Sequence, residues 1–145
     1  MNGPIVVGTD GSDTAKVAVT AAIALAKTFA QPLHVVSAYQ PHASSANLPQ
    51  EYRNSVLPHS KVEAVLAAAA GQVKLAGVKV RTHARLGNAA EAILDIAEDV
   101  GADLIVVGNR GIDSKARFVI GNVPSRVVHH AKCSTFVVNT RGDDQ

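Results

Sequence analysis

The sequence predicts an α/β domain built on a parallel sheet, and three observations carry that prediction. Two short β-branched runs, Ile5-Val6-Val7-Gly8 and Leu104-Ile105-Val106-Val107-Gly108, are apolar throughout and end in glycine, the pattern of strands buried on both faces. Between the apolar runs lie stretches whose alanines, valines and isoleucines return every three or four residues, as on one face of a helix. Several of these stretches open with a residue able to cap a helix. Strands that alternate with crossover helices form right-handed βαβ units, with helices on both faces of the sheet. In such sheets ligands sit beyond the carboxyl ends of the strands where the winding reverses, which directs attention to the loops after Val7 and Val107.

Each element has its own signal. Residues 3 to 8 form the first strand. Ser12 can then cap a helix whose apolar positions are Ala15, Ala18, Val19, Ala22, Ala26 and Phe29. Pro32 leads into a second strand from Leu33 to Ala38. Ser60 with Glu63 forms a capping box that opens an Ala-rich helix stopping near Gly77. Val78 to Ala84 alternates apolar with basic or polar residues, as expected of a strand toward the sheet edge. Asn88 and Glu91 repeat the cap spacing, and Ala89, Ala92, Ile93, Ile96, Ala97 and Val100 make one stripe that ends before Gly101. Asp103 to Gly108 is the fourth strand, Asn122 and Pro124 start a short fourth helix, and Ser134 to Asn139 is the last strand. The count is five strands and four helices.

The 145 residues suit one domain, 1-145, and 47% hydrophobic residues against 18% charged supply a core. Aromatics are 3% with no Trp, and 14 Lys and Arg against 12 Asp and Glu leave a formal charge of +2, so no nucleic-acid partner is expected. One cysteine, Cys133, excludes an intramolecular disulfide and a multi-Cys zinc site and agrees with a reducing compartment. No apolar run reaches the roughly 18 residues of a membrane span and the start has no signal-peptide layout, so the expectation is a cytoplasmic protein with no membrane partner. Residues 40 to 59 hold Pro41, Pro49 and Pro58 without periodicity and read as a long loop or a lid, flanked by Tyr39 and Tyr52; residues 141 to 145 are a C-terminal tail. The six histidines show no helical metal spacing, and no metal site is expected.

The chemistry concentrates in the two glycine-rich loops. Gly8-Thr9-Asp10-Gly11-Ser12 places a carboxylate on a tight turn before a helix; Asp10 is either an acceptor for a ligand or metal, or simply a turn former. The second loop reads Gly108-Asn109-Arg110-Gly111, then nine residues, then Gly121-Asn122-Val123-Pro124-Ser125. Glycines let backbone N–H groups approach a ligand and a helix N-terminus adds free donors, a combination suited to phosphate, with Arg110, Lys115 and Arg117 nearby. The alternative is a turn, a helix cap and solvated cations. Neither G-x-x-x-x-G-K-[ST] nor G-x-G-x-x-G is present.

At these residues the chain resembles the universal stress protein family, whose nucleotide binders carry Gly-x2-Gly-x9-Gly-[Ser/Thr] after strand four. Gly108, Gly111 and Gly121 keep that spacing, with Asn122 in the Ser/Thr place. The resemblance covers nearly the whole chain, including residues 6 to 12 and 102 to 108. It implies an open, Rossmann-like five-stranded sheet of order 3-2-1-4-5 that binds an adenine nucleotide: ATP, AMP or cyclic AMP, with Mg2+ as a possible companion. Carried over residue by residue, Asp10 with Gly8 and Thr9 lies near base and ribose, and Val36, Ser37 and Ala38 lie at the adenine edge. Gly108, Asn109, Arg110 and Gly111, with Gly121, Asn122, Val123, Pro124 and Ser125, surround the phosphates. It also implies a homodimer through the last strand, and the uncharged run Thr135-Phe136-Val137-Val138 independently suits an edge that pairs, the alternative being burial under the tail. The function implied is a nucleotide-binding regulatory stress-response protein; the alternatives are a slow Mg-dependent ATPase and a nucleotide-free dimeric scaffold.

Overall fold

The computed structural model describes residues 1 to 40, 57 to 109 and 121 to 140. In chain order these form β1 (Ile5–Gly8), α1 (Asp13–Phe29), β2 (Leu33–Gln40), β3 (Leu57–Pro58), α2 (His59–Leu75), β4 (Val80–Leu86), α3 (Ala89–Val100), β5 (Leu104–Gly108), α4 (Asn122–His130) and β6 (Ser134–Val138). The strands run parallel in the order β4-β2-β1-β5-β6. Counting only the five long strands this is 3-2-1-4-5, with four helices, as expected. β3 was not expected: it is a two-residue strand inside the stretch read as a loop, and it pairs with Tyr39 and Gln40 of β2. Two residues, one of them proline, carry no periodicity to read.

The two central strands are the two β-branched runs, with Ile5, Val6, Val7, Ile105 and Val106 all fully buried. Their alternate side chains enter two separate cores. Ile5, Val7, Val35 and Val106 meet Val19, Ala22 and Ile23 of α1 and Val62, Leu66 and Val73 of α2. Val6, Val36, Ile105 and Val107 meet Ala92, Ile93 and Ile96 of α3 and Val127 of α4. Burial of each such aliphatic side chain contributes about 1.5–3 kcal/mol.

Local signals fix most helix ends. Ser12 caps α1, its hydroxyl accepting from the Ala15 amide at 3.2 Å, and Asn88 caps α3, accepting from the Glu91 amide at 2.8 Å. Gly101 closes α3 in the left-handed conformation with φ 65°. Three sequence expectations shift. Helix α2 starts at His59, so Ser60 lies within its first turn and not at its cap. Phe29, the last residue of α1 before the left-handed Ala30 (φ 55°), is 38% exposed and outside the buried stripe. The edge strand runs over 80–86, two residues later than the alternation suggested.

Candidate functional site

At the carboxyl ends of β1 and β5 the helices diverge, and a crevice opens between them. One wall is the turn from β1 into α1. It is held by four bonds: the Thr9 amide donates to the Val36 carbonyl at 2.9 Å, the Gly11 amide to Thr9 Oγ1 at 3.1 Å, the Ser12 amide to Asp10 Oδ1 at 2.9 Å, and Ser37 Oγ to the Thr9 carbonyl at 2.7 Å. Gly11 has φ +81°, and a Cβ there would lie 2.9 Å from Val65 Cγ2, so glycine is required by both conformation and space. The Asp10 carboxylate therefore shapes the turn with one oxygen while also lining the crevice.

Val36 and Ala38 of β2, with Ile93 of α3, supply an apolar side, and Gly8 forms part of the floor. A Cβ on Gly8 would collide with Ile93 Cδ1, so the bare backbone lets that side chain pack over the end of β1. The far wall is Gly108 with Val123 and Pro124 at the start of α4. The enclosed part measures about 70 Å3, small beside the roughly 300 Å3 of an ordinary ligand pocket. Beside it runs a polar rim of Thr9, Asp10, Ser12 and Thr14.

The N-terminus of α4 differs from the other two whose caps are defined. Its N-cap is Gly121, with no side-chain bond, and not the capping Asn122 that the sequence suggested. Glycine has no side chain with which to cap, and the position three residues on would give such a cap nothing to serve. Ser12 and Asn88 each satisfy the amide of the third helical residue, whereas in α4 that residue is Pro124, which has no amide hydrogen. The Ser125 amide already bonds the Gly121 carbonyl at 3.0 Å, which leaves the Asn122 and Val123 amides without a partner among the described residues, Val123 itself lining the crevice.

The structure thus brings Gly8, Thr9, Asp10, Val36, Ala38, Gly108, Val123 and Pro124 together around one crevice. Gly121, Asn122 and Ser125 stand just behind it, at the start of α4. Ser37 faces the buried side and braces the turn. The Asn109 side chain points away, toward Thr140 at the end of β6. Arg110, Gly111, Lys115, Arg117, Tyr52, most of the 40 to 59 stretch and the 141 to 145 tail lie outside the described residues. Among the described residues no Lys or Arg lines the crevice. The sequence reading missed Ser12 and Thr14, and the pair Ala89 and Ile93, as lining residues. Their signal was present: each pair starts a helix at the carboxyl end of the sheet.

Other clusters do not converge in this way. A hollow of about 240 Å3 lies between the ends of α3 and α4 beside Cys133, but the Lys132–Glu98 pair at its rim, 3.1 Å apart, is satisfied within the protein. Burial, and to a lesser extent Asp103, pushes the Cys133 thiol up, which keeps it protonated and a poor nucleophile. His34 Nδ1 and His83 Nε2 are 2.9 Å apart across β2 and β4 with ring centroids 5.1 Å apart, so the nitrogens meet nearly head-on and share a proton, with no room for a metal between them. Among the described residues no group of three or more metal-ligating side chains occurs.

The sequence profile of the universal stress protein family matches residues 1–139. The chain belongs to the universal stress protein family. A universal stress protein of Mycobacterium tuberculosis is 34% identical over 140 residues, covering 94% of this chain and 95% of that one. A universal stress protein crystallised in complex with cAMP is 30% identical, with a TM-score of 0.74 over 95% of this chain and 97% of its own. A universal stress protein from Archaeoglobus fulgidus in complex with dAMP shares the fold, with a TM-score of 0.70 at 23% identity over 94% and 97% of the two chains. No helix among the described residues is long and apolar enough to cross a membrane.

Proposed function

We propose that the crevice binds an adenine nucleotide, ATP, AMP or cyclic AMP, and that this universal stress protein is a nucleotide-responsive regulatory protein. One observation carries the reading: the apolar slot of Val36 and Ala38 faces, across the Thr9–Asp10 turn, a helix N-terminus whose first two amides have no side-chain cap. A flat apolar base suits the slot, Asp10 is an acceptor for hydroxyls or an amino group, and the α4 amides with their partial positive charge suit phosphate. The relative crystallised with cAMP supports the same assignment. Mg2+ would accompany a polyphosphate on the open side. Asp10 is the one carboxylate among the described lining residues and one of its oxygens is committed to the turn, so hydrolysis forms no part of the proposal.

A homodimer through β6 belongs to the same proposal. The outer side of β6 has no strand beside it among the described residues, and Phe136 on it is 45% exposed. Cys133 is a free thiol, the state that a reducing, cytoplasmic setting maintains. The small enclosed volume favours the second reading, a nucleotide-free scaffold.

Thermal unfolding of nucleotide-stripped protein with ATP and Mg2+, AMP, cyclic AMP or GTP separates the two. Ligand at about 100 times its Kd adds about 2.7 kcal/mol, a rise in Tm of about 5 to 10 °C for a domain of this size. A rise with adenine nucleotides and none with GTP is expected; no rise with any of them leaves the scaffold.

A further inference from the structure

Asn109 is the first residue past β5, where that strand enters the crevice region, and its hydrogen bonds run in two directions. Its carbonyl accepts from the Gly121 amide at 2.9 Å, joining the end of β5 to the N-cap of α4. Its amide donates to the Val138 carbonyl at 2.8 Å, adding a rung to the β5–β6 ladder. Its side chain extends the same line: Oδ1 accepts from both the Thr140 amide at 3.0 Å and Thr140 Oγ1 at 2.9 Å. Two donors on one atom fix which end of the amide faces Thr140. Thr140 is only 4% exposed, so these bonds satisfy polar groups that water does not reach.

One residue therefore joins the start of α4, where two amides have no partner among the described residues and Val123 lines the crevice, to the end of the edge strand β6 and to Thr140 just past it. We propose that Asn109 and Thr140 form a latch that transmits occupancy of the crevice to the β6 edge, Asn109 acting as a positioning residue and not as a ligand contact. An anion held by the α4 amides draws on Gly121. That pull reaches Asn109 through the Gly121 bond and β6 through Val138 and Thr140. Ligand can shift β6 only if it binds the form with these bonds made and a form with them broken with different affinity. The inference rests on the nucleotide reading above, and its test keeps the two apart.

The experiment measures amide hydrogen exchange in β6 with and without saturating nucleotide, with binding to ATP, AMP and cyclic AMP measured by calorimetry on the same samples. In the unaltered protein the tightest of the three should slow exchange at Val137 to Thr140 by about fivefold or more, the scale of ordinary site-to-site coupling. In Asn109→Ala and in Thr140→Val nucleotide should still bind while that increment falls to about twofold or less, and Thr140→Ser, which keeps the hydroxyl, should retain it. The ligand-dependent increment is the readout, because a merely structural residue would change exchange equally with and without ligand. If Asn109→Ala does not fold, the Thr140→Val and Thr140→Ser pair decides. The latch is overturned, with nucleotide binding intact, if ligand binds the unaltered protein without slowing β6, or if Asn109→Ala or Thr140→Val keeps the full increment. If none of the three nucleotides binds, the nucleotide reading falls and the latch with it.

Discussion

The two walls of the crevice are built on opposite plans. At the β1–α1 turn, four hydrogen bonds, a left-handed glycine and a Ser12 cap tie the loop down while leaving one Asp10 oxygen on the crevice. At the start of α4, a glycine stands at the cap, a proline stands where the capped amide would be, and two amides are left over. The contrast teaches that a helix end satisfied by its own side chain is architecture, whereas one deprived of its cap keeps donors for something else. α3, capped by Asn88, falls on the architectural side although it too borders the crevice.

The largest expected effect breaks the rigid wall. Gly11→Ala forces a Cβ into a left-handed position and against Val65, which should cost about 2–3 kcal/mol in chemical denaturation. A loss under about 0.5 kcal/mol would mean the turn is less constrained than its geometry indicates. The next effect contrasts the two helix ends directly. Ser12→Ala should cost about 1 kcal/mol, and Asn122→Ala under about 0.5 kcal/mol, because only the first removes a cap. Equal losses would erase the distinction between the walls.

A control away from both walls is smaller. Ala30 occupies a left-handed site that glycine adopts freely, so Ala30→Gly should raise stability by about 0.5–1 kcal/mol and leave nucleotide affinity unchanged. The most gradual effect is acid sensitivity behind the Val36 and Ala38 side of the crevice. Burial first, then His83 and Arg81, holds the His34 imidazole below its ordinary 6.5; burial first, then Arg85 and Arg81 against an opposing Asp99, does the same for His83. The unfolded chain therefore takes up protons at a higher pH than the folded one. This part of the stability is complete above about pH 6.5 and falls as the pH drops toward the folded values. Urea titrations from pH 8 to pH 5 should show that decline, and His34→Phe should flatten it. An acid limb that is unchanged in His34→Phe assigns the decline to other groups.

What the sequence made legible was local. The two β-branched runs, the Ser12 and Asn88 caps and the Gly101 stop are each written within four residues of the feature they produce. The strand order came from the family likeness, since no local pattern states which strands are neighbours. Features that failed to show depend on distant partners: Ser37 reaches Thr9 across 28 residues, Asn109 reaches Thr140 across 31, and His34 reaches His83 across 49. Asn109 and Ser37 were placed on the right loop and strand, yet their side chains answer to residues no spacing rule connects. The start of α4 is an intermediate case: Pro124 is legible in the sequence, but its being the third helical residue depends on the helix starting after Gly121 and not after Asn122.

The two ends of the sheet also differ in what they offer a further strand. On the outermost β4, Arg81 and Arg85 are exposed charges that discourage a further strand, whereas β6 presents Thr135, Phe136, Val137 and Val138 without a charge. Under the dimer proposed above, joining two such β6 edges would consume both and leave only the charged β4 edges facing outward. The same asymmetry would then favour a pair of copies over a longer array.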